Sequence, residues 1–119
     1  MAQDEFLANW GSQARKGTLE LVVMSALAER ERYGYELVEH LKASCGLQVS
    51  DGTLYAILLR LKNEGFVRHR WEHMETGPAR KYYALTKPGT AALQGMREIW
   101  AEITRAVERA KSSKERKDV

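Results

Sequence analysis

The sequence predicts a mainly helical α+β fold: three short helices, a basic two-stranded β-hairpin and a long closing helix. Three observations point to it. Leu54, Ile57, Leu58 and Leu61 recur at i, i+3, i+4 and i+7, the spacing of one helix face. Residues 67–72 and 79–85 are β-like runs joined by a turn that contains Gly77-Pro78. Leu93, Met96, Trp100, Ile103 and Val107 then alternate spacings of three and four, the pattern of a helix seam that meets a second helix.

Each element has its own signal. Phe6, Leu7 and Trp10 form one apolar face of a short helix over residues 1–12, which Gly11-Ser12 is expected to break. A stronger helix is expected from Thr18, with Leu19, Val22, Val23, Ala26 and Leu27 on one face and Glu20 at its positive end. Polar Glu29-Arg30-Glu31-Arg32 closes it. Tyr33-Gly34-Tyr35 then leads a helix bearing Leu37, Val38 and Leu41, which ends at Gly46. Gly34 shares that apolar stripe, where a missing side chain lets two helices approach closely.

The third helix opens at Ser50 and stops at Gly65, a residue suited to a left-handed cap. Its apolar stripe turns inward, so Gly52, Thr53, Tyr55, Ala56 and Leu59 face outward. Thr86 is the expected N-cap of the last helix, with Pro88 tolerated in its first turn. That helix runs over residues 87–111, about 37 Å at the usual rise. Residues 112–119 read as a polar tail. Three helices followed by a charged hairpin make a winged helix-turn-helix over residues 13–86. The first twelve residues and the last helix flank it as dimerisation elements.

The chain of 119 residues is large enough for one modest core, and its 44% apolar and 29% charged content is ordinary for a globular domain. No apolar run approaches the ~20 residues that span a bilayer, so no membrane role is expected. Met1-Ala2-Gln3-Asp4-Glu5 has neither a basic region nor an apolar core, and Cys45 is the only cysteine, so a reducing cytoplasm is the expected location. The net charge of +3 decides little, but its distribution is informative. Residues 60–87 hold seven basic side chains (Arg60, Lys62, Arg68, Arg70, Arg80, Lys81, Lys87) against Glu64, Glu72 and Glu75, whereas residues 1–59 are net acidic. A local basic patch of this kind is what phosphate binding requires.

With these residues in view, the chain resembles the PadR family of transcriptional regulators. The matching features are Gly17-Thr18-Leu19-Glu20, Tyr33-Gly34-Tyr35-Glu36-Leu37, Gly52-Thr53-Leu54-Tyr55 with Arg60-Leu61, and Gly65-Phe66-Val67. Gly77-Pro78-Ala79-Arg80-Lys81-Tyr82-Tyr83 and Leu85-Thr86 with Gly89 continue them in the family's order. One departure is Ala56, where many relatives carry proline. The resemblance implies a winged-helix protein that dimerises through a C-terminal helix, often helped by an N-terminal one, and the small subtype with no separate effector domain.

The expected partner is double-stranded DNA with a palindromic operator, bound by a homodimer that acts as a ligand-responsive repressor. Thr53 and Tyr55 are the favoured base or phosphate contacts beside Gly52; the alternative for Tyr55 is packing against the wing. Arg80 and Lys81 alternate across a strand, so simple geometry puts only one on the DNA side. Lys16, read as lying just before a helix N-terminus, is a phosphate candidate. Tyr35, Ser50, Arg60 and Gly77, in or beside the matched motifs, complete the candidate contacts. Of Tyr82 and Tyr83, one is expected in the core. The dimer surface is read as Phe6, Leu7, Trp10, Leu93, Met96, Trp100, Ile103 and Val107. Some relatives bind aromatic drugs between tryptophans at the position of Trp100, which implies a flat aromatic effector walled by Trp100, Met96, Ile103 and Trp10. No catalytic constellation, cofactor motif or close zinc-ligand spacing is present, so no enzyme, cofactor or metal is expected. The competing readings are a winged-helix protein-interaction module and a metal-responsive regulator.

Overall fold

Four helices and one small antiparallel sheet account for residues 1–111, which the computed structural model describes. In chain order they are α1 (Ala2–Glu29), β1 (Arg32–Tyr33), α2 (Gly34–Cys45), α3 (Asp51–Asn63), β2 (Val67–Glu72), β3 (Arg80–Leu85) and α4 (Lys87–Ala110). The expected polar tail lies outside the described residues.

The first difference from expectation is α1, a single helix of 28 residues that runs through Gly11 and Ser12. Thr18 does not cap a new helix, since its hydroxyl donates back to the carbonyls of Ala14 and Arg15 within the same helix. A glycine in a helix costs only about 1 kcal/mol relative to alanine. Leu7, Ala8, Gln13, Ala14, Arg15 and Lys16 around it are good helix formers, so Gly11 and Gly17 are absorbed. The boundary drawn at residue 12 therefore falls inside a helix.

The second difference is a third strand. Arg32 and Tyr33 pair antiparallel with Tyr83 and Tyr82, giving the sheet order β1-β3-β2. Arg32 is buried at 3% exposure. Its guanidinium donates to the Ala26 carbonyl at 3.2 Å and to the Glu29 carboxylate at 2.8 Å. A cation at the C-terminal end of α1 meets carbonyls that have no helical partner.

The hairpin follows the expected runs, with β2 and β3 in register from Val67↔Leu85 to Glu72↔Arg80. Gly77 turns the connection at φ +84°, and Gly65 and Gly46 end their helices at +83° and +67°. Side chains alternate, so Val67, His69 and Trp71 share a face with Leu85, Tyr83 and Lys81. The inner end of that face belongs to the core, where Val67 and Tyr83 join Met24 and Leu27 of α1, Leu37 and Leu41 of α2, and Leu54, Leu58 and Leu61 of α3. Tyr83 is thus the buried member of the tyrosine pair, as the alternation required.

At this same end of the sheet, Thr86 caps α4 by accepting from the Gly89 amide at 3.0 Å. Leu93 then enters the core at 2% exposure, and Met96 packs against it. Leu93 is therefore not available to a partner. The heptad reading placed it on the dimer surface because a seam and a core stripe share the same spacing near the start of a helix.

Candidate nucleic-acid interface

The start of α3 is organised by Ser50. Its hydroxyl accepts from the Thr53 amide at 3.2 Å and donates to the Thr53 hydroxyl at 2.9 Å. This hydroxyl pair ties the first turn together and leaves both side chains at the surface. Gly52 beside them faces open space. Tyr55, one turn on, is 47% exposed, and its hydroxyl lies over Gly34 so closely that a Cβ there would come nearer than 3.0 Å. The close approach anticipated at Gly34 is thus made by a tyrosine of α3. It fixes where the exposed edge of the Tyr55 ring stands.

Between α3, the start of α2 and the hairpin lies an open cleft of about 410 Å³. Tyr33, Gly34, Tyr35 and Tyr55 form one side of it, and Trp71, Ala79, Arg80, Lys81 and Tyr83 of the hairpin the other. The cations face different neighbours, as strand alternation requires. The Arg80 guanidinium stacks 4.5 Å from the Tyr33 ring centre, and Lys81 Nζ stands 5.6 Å and 5.7 Å from the Trp71 and Tyr83 rings. Lys81 is therefore on the side that faces α3. Arg70, on the opposite face, is committed to Glu31 and stacks on Tyr82. That guanidinium holds the Glu31 carboxyl below its ordinary range.

Two candidate contacts are placed differently from expectation. Lys16 sits in the interior of α1, well past the N-terminus that would attract a phosphate, although it remains exposed. Arg60 forms an ion pair with Glu20 that ties α3 to α1. Its side chain is otherwise largely exposed, so the pair with Glu20 is what competes with a phosphate contact. Tyr35 is exposed and stacks on Tyr33 at 6.4 Å, and Gly77 is exposed at the hairpin turn. Trp71 was not singled out from the sequence, yet it is 60% exposed on the cleft side of β2. The hairpin register centres on Thr76, one residue before the Gly77 turn signal, and this puts Trp71 opposite Lys81.

His69 lies between Val67 and Trp71 on the same face, and its Nδ1 is buried without a hydrogen-bond partner. Burial first, then Lys62 and Lys81, pushes the imidazole below its ordinary value of 6.5. The folded state thus resists protonation. Stability is full above the unfolded value and falls as pH drops below about 6.5. In urea melts, moving from pH 7.5 to pH 5.5 should lower the midpoint more in the parent than in His69→Gln. An equal drop in both would assign the acid sensitivity to other groups.

A second concave region lies between α1 and α4. It is a groove of about 340 Å³ lined by Gln13, Ala14, Gly17, Thr18 and Leu21 with Met96, Ile99, Trp100 and Ile103. Three of the four residues expected around an effector, Trp100, Met96 and Ile103, line it. Trp10 does not, because continuous α1 carries it beyond the groove and puts Ala14, Gly17 and Leu21 on that wall. Phe6, Leu7, Trp10, Ile99, Trp100, Ile103 and Val107 are all exposed. Ile99 was missed because the seam pattern tracks 96, 100 and 103 and skips the flanking position. Among the described residues, no group of three His, Cys, Asp or Glu side chains could hold a metal.

Three helices on a small sheet, with an exposed third helix beside a projecting basic hairpin, define a winged helix-turn-helix protein. The model of the transcriptional regulator PadR-like family matches residues 23–95, and the chain belongs to that family. A PadR-like transcription factor from Bacteroides fragilis is 37% identical, covering 87% of this chain and 99% of that one, with a TM-score of 0.74. A PadR family regulator from Eggerthella lenta is 32% identical over 92% of this chain and 95% of its own, with a TM-score of 0.82. Bacillus subtilis PadR, solved in complex with operator DNA, is 26% identical over 66% of this chain and 46% of that chain, with a TM-score of 0.61. Family membership makes this chain a transcriptional regulator and not an enzyme. None of its described helices is long and apolar enough to cross a membrane.

Proposed function

We propose that this protein is a homodimeric repressor that binds palindromic double-stranded DNA in the cytoplasm, with α3 in the major groove and the hairpin on the adjacent backbone or minor groove. The observation that carries the reading is the cleft beside α3. It presents Lys81 beside the exposed Tyr55, with Arg80 stacked on Tyr33 at its edge, and no carboxylate is among its lining residues. Phosphates are attracted to such a surface, whereas a protein-interaction module has no need to gather cations there. The Bacillus subtilis relative bound to operator DNA supports the same assignment. Thr53 and Tyr55 are the proposed base-reading contacts, and Gly52 allows the backbone of α3 to approach the groove floor. Ser50 supports them by fixing the first turn. Tyr35 and Gly77 stand at the two rims of the same surface.

The dimer reading rests on the exposed apolar stripe Ile99, Trp100, Ile103 and Val107, with Phe6, Leu7 and Trp10 on α1. Such a stripe is costly in water and suits a second copy across a two-fold axis. The groove against Trp100 suits a flat, apolar or cationic effector held by stacking. Occupancy would release DNA only through a difference in affinity between two subunit arrangements.

Gel shift with the promoter DNA flanking the protein's own gene tests the reading. Lys81→Ala should weaken operator and random duplex alike and reduce the log–log salt slope by about one. Thr53→Ala should instead shrink the preference for operator over random DNA. Unchanged salt-dependent binding in both Lys81→Ala and Arg80→Ala would remove the hairpin from the interface.

A further inference from the structure

The cleft holds one residue that neither the fold nor the family motifs explain. Trp71 stands on β2 directly across from Lys81, with its indole 60% exposed. Nothing about stability requires an indole there, because the core face of the sheet ends at Tyr83 and Val67. The ring is nevertheless held in place. Lys81 Nζ lies 5.6 Å from its centre, and the ring shares the cleft with Tyr55 and Tyr35 from the other wall. The carboxylate next to it in sequence is elsewhere: Glu72 alternates to the opposite face and pairs with Arg70. A broad apolar ring beside an ammonium, with no anion among the lining residues, matches alternating sugar and phosphate.

We propose that Trp71 is a DNA-contacting residue that packs its indole on the deoxyribose faces lining the minor groove, while Lys81 holds the neighbouring phosphate. This rests on the DNA-binding reading and adds to it a contact that is not electrostatic. The ring supplies apolar area at little conformational cost, since Lys81 and the strand already restrict it. Lys81 thus has two roles: it neutralises a phosphate and orients the indole. A second cation in place of Trp71 would stand opposite Lys81 and be repelled by it.

The test uses the full chain and a labelled operator duplex, read by anisotropy over a salt series and by tryptophan emission. Trp71→Ala should weaken operator binding about tenfold or more, the loss expected of a buried aromatic anchor, with the salt slope unchanged. Lys81→Ala, in contrast, lowers the slope. Trp71→Phe should stay within about threefold of the parent, and Trp71→Leu should behave as Trp71→Ala if a flat ring is needed. Melting temperatures close to the parent's show that the weaker variants remain folded. Adding operator should change tryptophan emission in the parent and much less in Trp71→Phe, because Trp10 and Trp100 lie on α1 and α4, away from the cleft. Binding by both Trp71→Ala and Trp71→Leu within about twofold of the parent would overturn the contact while leaving the DNA reading intact. An equal emission change in Trp71→Phe would also overturn it. Failure of the parent to bind any duplex would overturn both.

Discussion

Alanine at position 89 is expected to remove a large part of the protein's stability. A Cβ on Gly89 would meet the Phe66 backbone carbonyl nearer than 3.0 Å, and backbone cannot swing aside as a side-chain tip can. Phe66 has little freedom to retreat. Its carbonyl accepts from the Thr86 amide at 3.1 Å, its own amide donates to the Leu61 carbonyl at 2.9 Å, and the Thr86 hydroxyl donates to the Gly65 carbonyl at 2.6 Å. The end of α3, the start of β2 and the start of α4 therefore meet at one joint. Overpacking of this kind costs about 3 kcal/mol or more, a substantial share of a total of roughly 5–15 kcal/mol. Thermal unfolding followed by circular dichroism should show the midpoint falling by about 10 °C or more. Gly95→Ala on the same helix, where a Cβ meets nothing within 4 Å, should match or slightly exceed the parent. Equal midpoints for Gly89→Ala and the parent would mean that the joint yields.

The second large effect concerns assembly. Trp100→Glu combined with Ile103→Glu should convert the proposed dimer to a monomer at micromolar concentration in sedimentation velocity. Both side chains are close to half exposed in the single chain, at 44% and 48%, so the protomer should keep its fold. Charges in an apolar interface are left without partners or water, which opposes association strongly. A monomer presents one recognition helix, so operator affinity should fall with it, whereas the far-ultraviolet helical signal should not change. A parent that sediments as a monomer would remove the dimer from the proposal. Leu93→Glu makes a useful contrast: at 2% exposure it should unfold the protomer and not merely separate two of them.

Much of the fold was legible because short-range rules set it. The stripe Leu54, Leu58 and Leu61, the left-handed glycines at 46 and 65, the Gly77 turn and the Thr86 cap are local choices, and each stands where it was expected. The basic excess around the hairpin and the outward Thr53 and Tyr55 followed from composition and periodicity alone. What failed depended on competition between elements. Gly11-Ser12 looked like a break by propensity, but the helix continues because the residues around it favour helix. Arg32 looked like a polar terminator, yet it is buried between a helix end and a strand that only the fold brings together.

By itself the sequence determined the family, the winged-helix class and the position of the basic hairpin, since these follow from ordered motifs and from hydrophobic period. Only the tertiary structure decided which apolar residues remain for a partner. Leu93 and Val107 belong to one helical pattern, but packing of α1 on α4 claims Leu93 and leaves Ile99, Trp100, Ile103 and Val107 exposed. The same holds for the cations. Arg60, Arg70 and Lys81 are alike in the sequence, yet Glu20 engages the first and Glu31 the second, while Lys81 faces the cleft beside Trp71. Charge is a property of the residue, whereas its availability depends on the acids that folding places within reach.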